Sequence, residues 1–229
     1  MLRIHSRIAL LVLPVTLTTL AFAQGQEAAL IQNGNLGGWR YGKELVKEAE
    51  TPDKRFYLGD GSLIMAAKDK DGKKDVQNLI ATREFAKDFV LKLEFKAAQE
   101  ATGAVTIRNT PFPVGDFIRR NEQKQMKNFK NDGWNELEIT VKMAAHAEGR
   151  RLTDSDTLEA GFQNGKATAR VNGRVVDPNR VVIQIEGHAK VNGETLANYP
   201  VALATKGQVG LRTGSGKIEF RNIRFRELP

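Results

Sequence analysis

Glu136 and Glu138 are the first residues of this chain whose spacing suggests chemistry. They stand two apart in the run Asn135 to Lys142, where Leu137, Ile139 and Val141 alternate with them. Residues i and i+2 of a strand share a face, with side chains roughly 7 Å apart. Two carboxylates near that spacing can serve glycosidic cleavage as acid and base. The plain alternative is a solvated polar face whose charges are met by Lys or Arg on the next strand. Glu94 stands the same way on the polar side of Phe89 to Lys96, so Glu94, Glu136 and Glu138 are the catalytic candidates. Trp39 and Trp134 are the only two tryptophans. An indole face suits the apolar CH face of a pyranose, and the same rings also anchor cores at strand ends.

Other chemistries are less legible. His146 and His188 each stand alone near a glycine and read as loop residues, and spacing supplies no third ligand, so no metal is expected. Asp69 to Asp75 hints at a calcium loop, but its glycine comes too early for the EF-hand pattern and its lysines would repel the ion. A hairpin turn at Asp71-Gly72 is expected there instead. With no cysteine at all, disulfides, thiolate metal sites and a cysteine nucleophile are excluded. No Ser-His-Asp arrangement and no Gly-rich phosphate loop is legible, and no cofactor is expected. Arg119, Arg120, Lys124, Lys127 and Lys130 form a basic run with one acid, Glu122. It reads as a solvated helix face over Phe117, Met126 and Phe129, or as a dock for an acidic glycan or anionic headgroups.

The elements that must position these residues are strands. Phe89, Leu91, Leu93 and Phe95 alternate with Lys92, Glu94 and Lys96; Ala104 to Arg108, Lys166 to Val171, Leu63 to Ala66 and Val181 to Glu186 are further strand candidates. Asn164-Gly165, Asn172-Gly173 and Asn192-Gly193 fit the positive φ angles of two-residue hairpin turns. In the tail, Val209 and Leu211 lead through Gly214-Ser215-Gly216 to Ile218 and Phe220, an apparent hairpin pair. The phase then slips at Asn222, which predicts a β-bulge. The one helical candidate is Asp116 to Lys130. Short strands with such turns argue for an all-β sandwich in one domain.

The 229 residues carry a net charge of +8, spread along the chain. Nucleic acid usually calls for a denser basic stripe with interleaved aromatics, so no nucleic-acid partner is expected. Residues 1–23 read as a secretory signal: Arg3 and Arg7, the apolar Ile8 to Leu20, then Ala21-Phe22-Ala23 before Gln24. The apolar run is short for a spanning helix, so no stable membrane insertion is expected after cleavage. The mature domain, 24–229, is then periplasmic or extracellular.

Several segments, in order, resemble the 3-keto-disaccharide hydrolase domain family. They are Asn33-Gly34-Asn35-Leu36-Gly37-Gly38-Trp39, Leu58 to Leu63, Phe89 to Lys96, Gly103 to Arg108, Gly133-Trp134-Asn135-Glu136, Ala169 to Gly173 and the closing Phe220 to Leu228. The resemblance implies a concanavalin A-like jelly roll of two antiparallel sheets. It also implies cleavage of the glycosidic bond of an oxidised, 3-keto sugar, by elimination and hydration with a base near C2. Arg108 takes the position of the family's arginine and, with Trp134 and Arg212, makes the substrate-binding set. The chain departs from the family pattern at Asn109 to Asp132, which is short and basic, and at Leu211-Arg212-Thr213-Gly214, where Gln and His are expected. An insertion spans Met143 to Gln163. The competing readings are a non-catalytic glycan-binding module and a structural envelope domain on the same scaffold.

Overall fold

A computed structural model of the protein describes residues 27–32, 34–122, 126–153, 155–163, 166–196 and 201–229. The signal segment, Asn33, Lys124 and the Asn164-Gly165 turn lie outside these residues. The described chain is a jelly-roll sandwich of two large antiparallel sheets, as the strand pattern predicts. The larger sheet runs Glu194–Thr195, Val181–Val191, Asn135–Ala147, Phe89–Ala97, Ile218–Glu227, Ser62–Met65, Phe56–Gly59. The smaller runs Glu44–Leu45, Trp39–Tyr41, Asn78–Phe85, Gly207–Arg212, Ala104–Ile107, Thr110–Pro113. Among the described residues no helix is long and apolar enough to cross a membrane.

Alternation decides which residues fill the space between the sheets. Phe89, Leu91, Leu93 and Phe95 are buried from one strand, and Leu137, Ile139 and Val141 from its neighbour. Val105, Ile107, Val209 and Leu211 meet them from the smaller sheet. Trp39 is fully buried and donates its indole N–H to the Leu30 carbonyl at 3.0 Å, so it is a core anchor. Asn172-Gly173 and Asn192-Gly193 make the expected turns, with φ of 51° and 77°, and 48° and 81°.

The tail differs from its expected form. Gly207–Arg212 belongs to the smaller sheet and Ile218–Glu227 to the larger, so the two do not pair with each other. Both bury alternate residues in one core from opposite sides, and Gly214-Ser215-Gly216 carries the chain across rather than back. Gly214 lies so close to Thr102 that a β-carbon there would collide with the Thr102 Oγ1. The phase slip is a bulge: the register against Phe89–Ala97 shifts between Arg221 and Arg224, with Asn222 at φ 52°.

Three further elements depart from expectation. Asn135–Ala147 and Val181–Val191 are longer than their apolar alternation suggests, and pair along their length as a ribbon. The inserted segment forms the short Arg150–Arg151 and the strand Leu158–Gln163, which joins Lys166–Val171 and Arg174–Val176 in a third sheet. That sheet packs Ala169, Val171 and Val176 against Ala147 in a separate small cluster. Thr110–Pro113, unread in the sequence because of its two prolines, is an edge strand, where proline's missing donor costs no ladder bond. The helix is Val114–Glu122, starting earlier and ending sooner than the basic run suggests. Phe117 and Phe129 each lie 6.1 Å from the Phe95 ring.

These contacts make the segment around Phe117 and Phe129 part of the main core. Phe95→Ala is expected to destabilise the protein by about 3–5 kcal/mol, the usual cost of emptying a buried aromatic site. Guanidinium denaturation checks this, and a loss under about 1 kcal/mol would show that the segment does not seal the sandwich.

Candidate functional site: the outer face of the large sheet

With the apolar side chains turned inward, the partners between them on four central strands must face out. Cross-strand register arranges them in rows. Arg221, Glu94 and Glu136 form the first row; Arg224, Lys92, Glu138 and Lys190 the second; Arg226, the apolar Val90, Thr140 and His188 the third; Lys142 and Glu186 the fourth. Outward residues on a strand are spaced by about 6–7 Å, so the face from Glu136 to His146 is on the order of 30 Å long.

Glu94 and Glu136 lie directly across from each other. Like charges at such positions repel unless something neutralises them. Arg221 does so, with Nε and a terminal nitrogen each 2.6 Å from Glu94 Oε2, while Asn222 Nδ2 donates to Glu94 Oε1 at 2.7 Å. Partial burial alone would raise the Glu94 pKa. The hydrogen bonds from Asn222 and Arg221 and the charges of Arg221 and Arg224 outweigh it and hold Glu94 below the usual carboxylate value. The Arg221 guanidinium also lies over the Trp134 ring, 4.1 Å from its centroid. The bulge at Asn222 is what aims both groups at Glu94. Glu138 sits between Lys92 at 3.1 Å and Lys190 at 3.7 Å. Glu136 is exposed and, among the described residues, makes no ion pair; its backbone N–H donates to Asn192 Oδ1 at 2.8 Å.

A second cluster occupies the far rows. The Glu186 side chain is only 1% exposed although it carries a charge. Its Oε1 lies 2.6 Å from His146 Nε2 and accepts from Gln184 Nε2 at 3.0 Å. Its Oε2 lies 3.2 Å from His188 Nε2 and 2.9 Å from Arg151 Nε. Burial would raise the Glu186 pKa, but hydrogen bonds from Gln184 and His146, with the charge of Arg151, hold it below the ordinary value. Burial, helped by Arg151 and Lys142 and opposed by Glu186, lowers His188 below the usual histidine value. Both histidines turn Nε2 toward Glu186; Gln184 Nε2 also lies 3.2 Å from His146 Nε2, and an Arg151 terminal nitrogen 3.4 Å from His188 Nε2. Among the described residues no group of three or more His, Asp or Glu is placed to hold a metal ion.

The expected site residues are therefore divided. Glu94, Glu136, Glu138 and Trp134 share the outer face of the large sheet. Arg212 is exposed on the smaller sheet, across from Asn78 and Ala104, and does not join them. Arg108 is not on a strand face: it follows Ala104–Ile107 in a turn at φ 50°, is 2% exposed, and donates to the Ala204 and Lys87 carbonyls at 3.1 and 2.7 Å. Its guanidinium ties three loops together and is turned away from solvent. His146 and His188 lie on paired strands, not in loops, and are brought together. Asp71-Gly72 forms a local turn, with Asp69 Oδ1 accepting from the Asp71 and Lys73 N–H groups, but not the expected hairpin, because Ser62–Met65 and Asn78–Phe85 lie in different sheets. Arg119 spends its charge on Asp116. Sequence reasoning missed Glu186, Arg151, Arg221 and Asn222. The polar alternation Gln184, Glu186, His188, Lys190 was the available signal for the first of these.

No protein-family profile matches the chain, and no curated protein matches it in sequence. Solved structures show a partial likeness to it. A candidate glycosyl hydrolase from Parabacteroides distasonis is 16% identical, with 89% of this chain and 100% of that chain covered and a TM-score of 0.45. A Bacillus licheniformis beta-glucanase is 10% identical over 90% and 99%, TM-score 0.41. The carbohydrate binding module CBM66 from Bacillus subtilis is 11% identical over 84% and 98%, TM-score 0.38. The likeness is to all-β architecture and assigns no substrate.

The pKa directions predict acid sensitivity. His188 titrates lower in the folded chain than its ordinary 6.5, so the unfolded chain takes that proton first and stability falls as pH drops below about 6.5. Glu94 and Glu186 titrate below their ordinary 4.5, so their contribution is present above that value and is lost as pH falls through it. Melting temperature should be highest near neutrality and fall in both windows, and Glu186→Gln should lower it at pH 7 and weaken its pH dependence. A melting temperature constant from pH 7 to pH 4 would contradict this electrostatic description.

Proposed function

We propose that this is an exported, carbohydrate-directed protein whose working surface is the outer face of the large sheet. Export rests on the basic, apolar and small-residue order of residues 1–23. The observation that carries the glycan reading is the group Trp134, Arg221, Glu94 and Glu136 on an open sheet face. Arg221 covers one face of the Trp134 ring, and the opposite face suits the CH face of a pyranose, beside charged groups that can exchange hydrogen bonds with hydroxyls. Glycan binding is the function this geometry supports best.

The finer reading is hydrolysis of a 3-keto disaccharide, the activity that the sequence resemblance implies. What supports it is the position of Glu94 directly across from Glu136, where cross-strand β-carbons stand about 5 Å apart. Carboxyl groups at about that distance can act as nucleophile and acid, and an unpaired carboxylate such as Glu136 can serve as the base near C2. What weighs against it is that Glu94 is held ionised by Arg221 and Asn222, and Glu138 is neutralised by two lysines. Neither Arg108 nor Arg212 reaches this face.

Trp134→Ala should weaken glycan binding about ten-fold, near the worth of one aromatic stack, as measured by calorimetric titration. Arg212→Ala, on the other sheet, should leave it unchanged. Binding lost with Arg212→Ala and kept with Trp134→Ala would move the site to the smaller sheet. Incubation with a 3-keto-glucoside tests the finer reading: aglycone release abolished by Glu136→Gln is expected if it holds, and no release leaves binding alone.

A further inference from the structure

Glu186 and its partners tie Asn135–Ala147, Arg150–Arg151 and Val181–Val191 together through charge. They straddle the edge of the main core: His188 adjoins the fully buried Ala189, while further along the ribbon Met143 and Ile183 on its other face are 61% and 60% exposed. A buried ionised carboxylate is an expensive way to hold two strands together, since apolar residues of similar volume do so at no desolvation cost. Charged and titratable groups gathered at such a cost are a feature of functional sites. Here they comprise two imidazoles, 24% and 23% exposed, and a guanidinium 35% exposed. Lys142 stands across from Glu186 on the next strand.

We propose that the Glu186–His146–His188–Arg151 cluster is an elimination centre for an anionic, uronate-bearing glycan, with His188 as the base. The proposal rests on the reading of this face as a glycan surface. It names the sugar class that the face takes and the chemistry done there. A neutral imidazole next to a fixed cation suits removal of a proton from a carbon beside a carbonyl, because the cation receives the charge that develops on oxygen. In unmodified glycans that arrangement occurs at C5 of a uronic acid, next to the C6 carboxylate. Cations outnumber carboxylates in the rows between Glu94 and Glu186, which favours an anionic chain over a neutral one.

The step balances without a further reactant. The C5 proton passes to the imidazole nitrogen of His188, and the C5–H electron pair forms the C4–C5 double bond. The C4–O4 bond breaks, and O4 leaves with the proton returned by the imidazolium. Arg151 and Lys142 neutralise the C6 carboxylate. Glu186 is a positioning residue: it fixes both rings by their Nε2 atoms and touches no substrate.

The test uses the mature chain with polygalacturonate, alginate and a neutral β-glucan. Expected are binding of a polyuronate in preference to the glucan and a rise in the ultraviolet absorbance of the unsaturated uronate end. His188→Asn should cut that rate at least ~100-fold, the usual worth of a positioned base, with binding within about two-fold. Glu186→Gln should shift the acid limb of the pH–rate profile. Deuterium exchange at C5 in the unmodified protein gives a readout that needs no variant to fold. A polyuronate that binds but shows neither exchange nor unsaturated product overturns the elimination centre and leaves the glycan surface standing. Products carrying the elements of water, or turnover of a 3-keto-glucoside alone, overturn it too. No binding to any glycan takes down both readings.

Discussion

Every functional candidate on this molecule is placed by an apolar neighbour. Leu137, Ile139 and Val141 are fully buried against Leu91 and Leu93, and that burial forces Glu136, Glu138, Thr140 and Lys142 to the opposite side. A slip of one residue would exchange the two faces and put charged side chains in the core. The register is thus held by hydrophobic burial, and the polar face is specified as its complement. The same constraint runs into Val181–Val191, where buried Ala189 and Val191 leave Glu186, His188 and Lys190 outside.

Within that frame, two devices differentiate the face. The bulge at Asn222 breaks the alternation of Ile218–Glu227 and lets Arg221 and Asn222 both reach Glu94. It neutralises Glu94, the more buried member of a repulsive pair of glutamates, and brings a cation over Trp134. The inserted segment supplies Arg151, which meets Glu186 and encloses it with the two histidines. One end of the face is an aromatic and charged platform, and the other is a titratable cluster.

Much of the fold was legible because its strands alternate cleanly. Phe89 to Phe95 and the Asn-Gly turns are examples, and the bulge showed as a slip of phase. What was not legible depends on partners distant in sequence. Whether Gly207–Arg212 and Ile218–Glu227 pair or lie in opposite sheets cannot be read from a period of two, which is the same in both cases. Thr110–Pro113 was hidden by its prolines, acceptable only because the strand is at an edge. At the site, Glu136 and Glu138 share a face as their spacing implies, but that Glu94 and Trp134 join them depends on cross-strand register. Arg108 does not join them, because a positive φ after Ile107 turns it inward. The histidines looked solitary because 42 residues of sequence separate two positions that the ribbon makes neighbours.

The central claim is that ligand meets the outer face of the large sheet. Two-dimensional NMR of the mature chain during titration with a polyuronate oligosaccharide tests it most directly. The account predicts shift changes at the Trp134 indole and along residues 92–94, 136–142 and 186–190. Changes confined to 78–84, 104–106 and 208–212, on the smaller sheet, would contradict it.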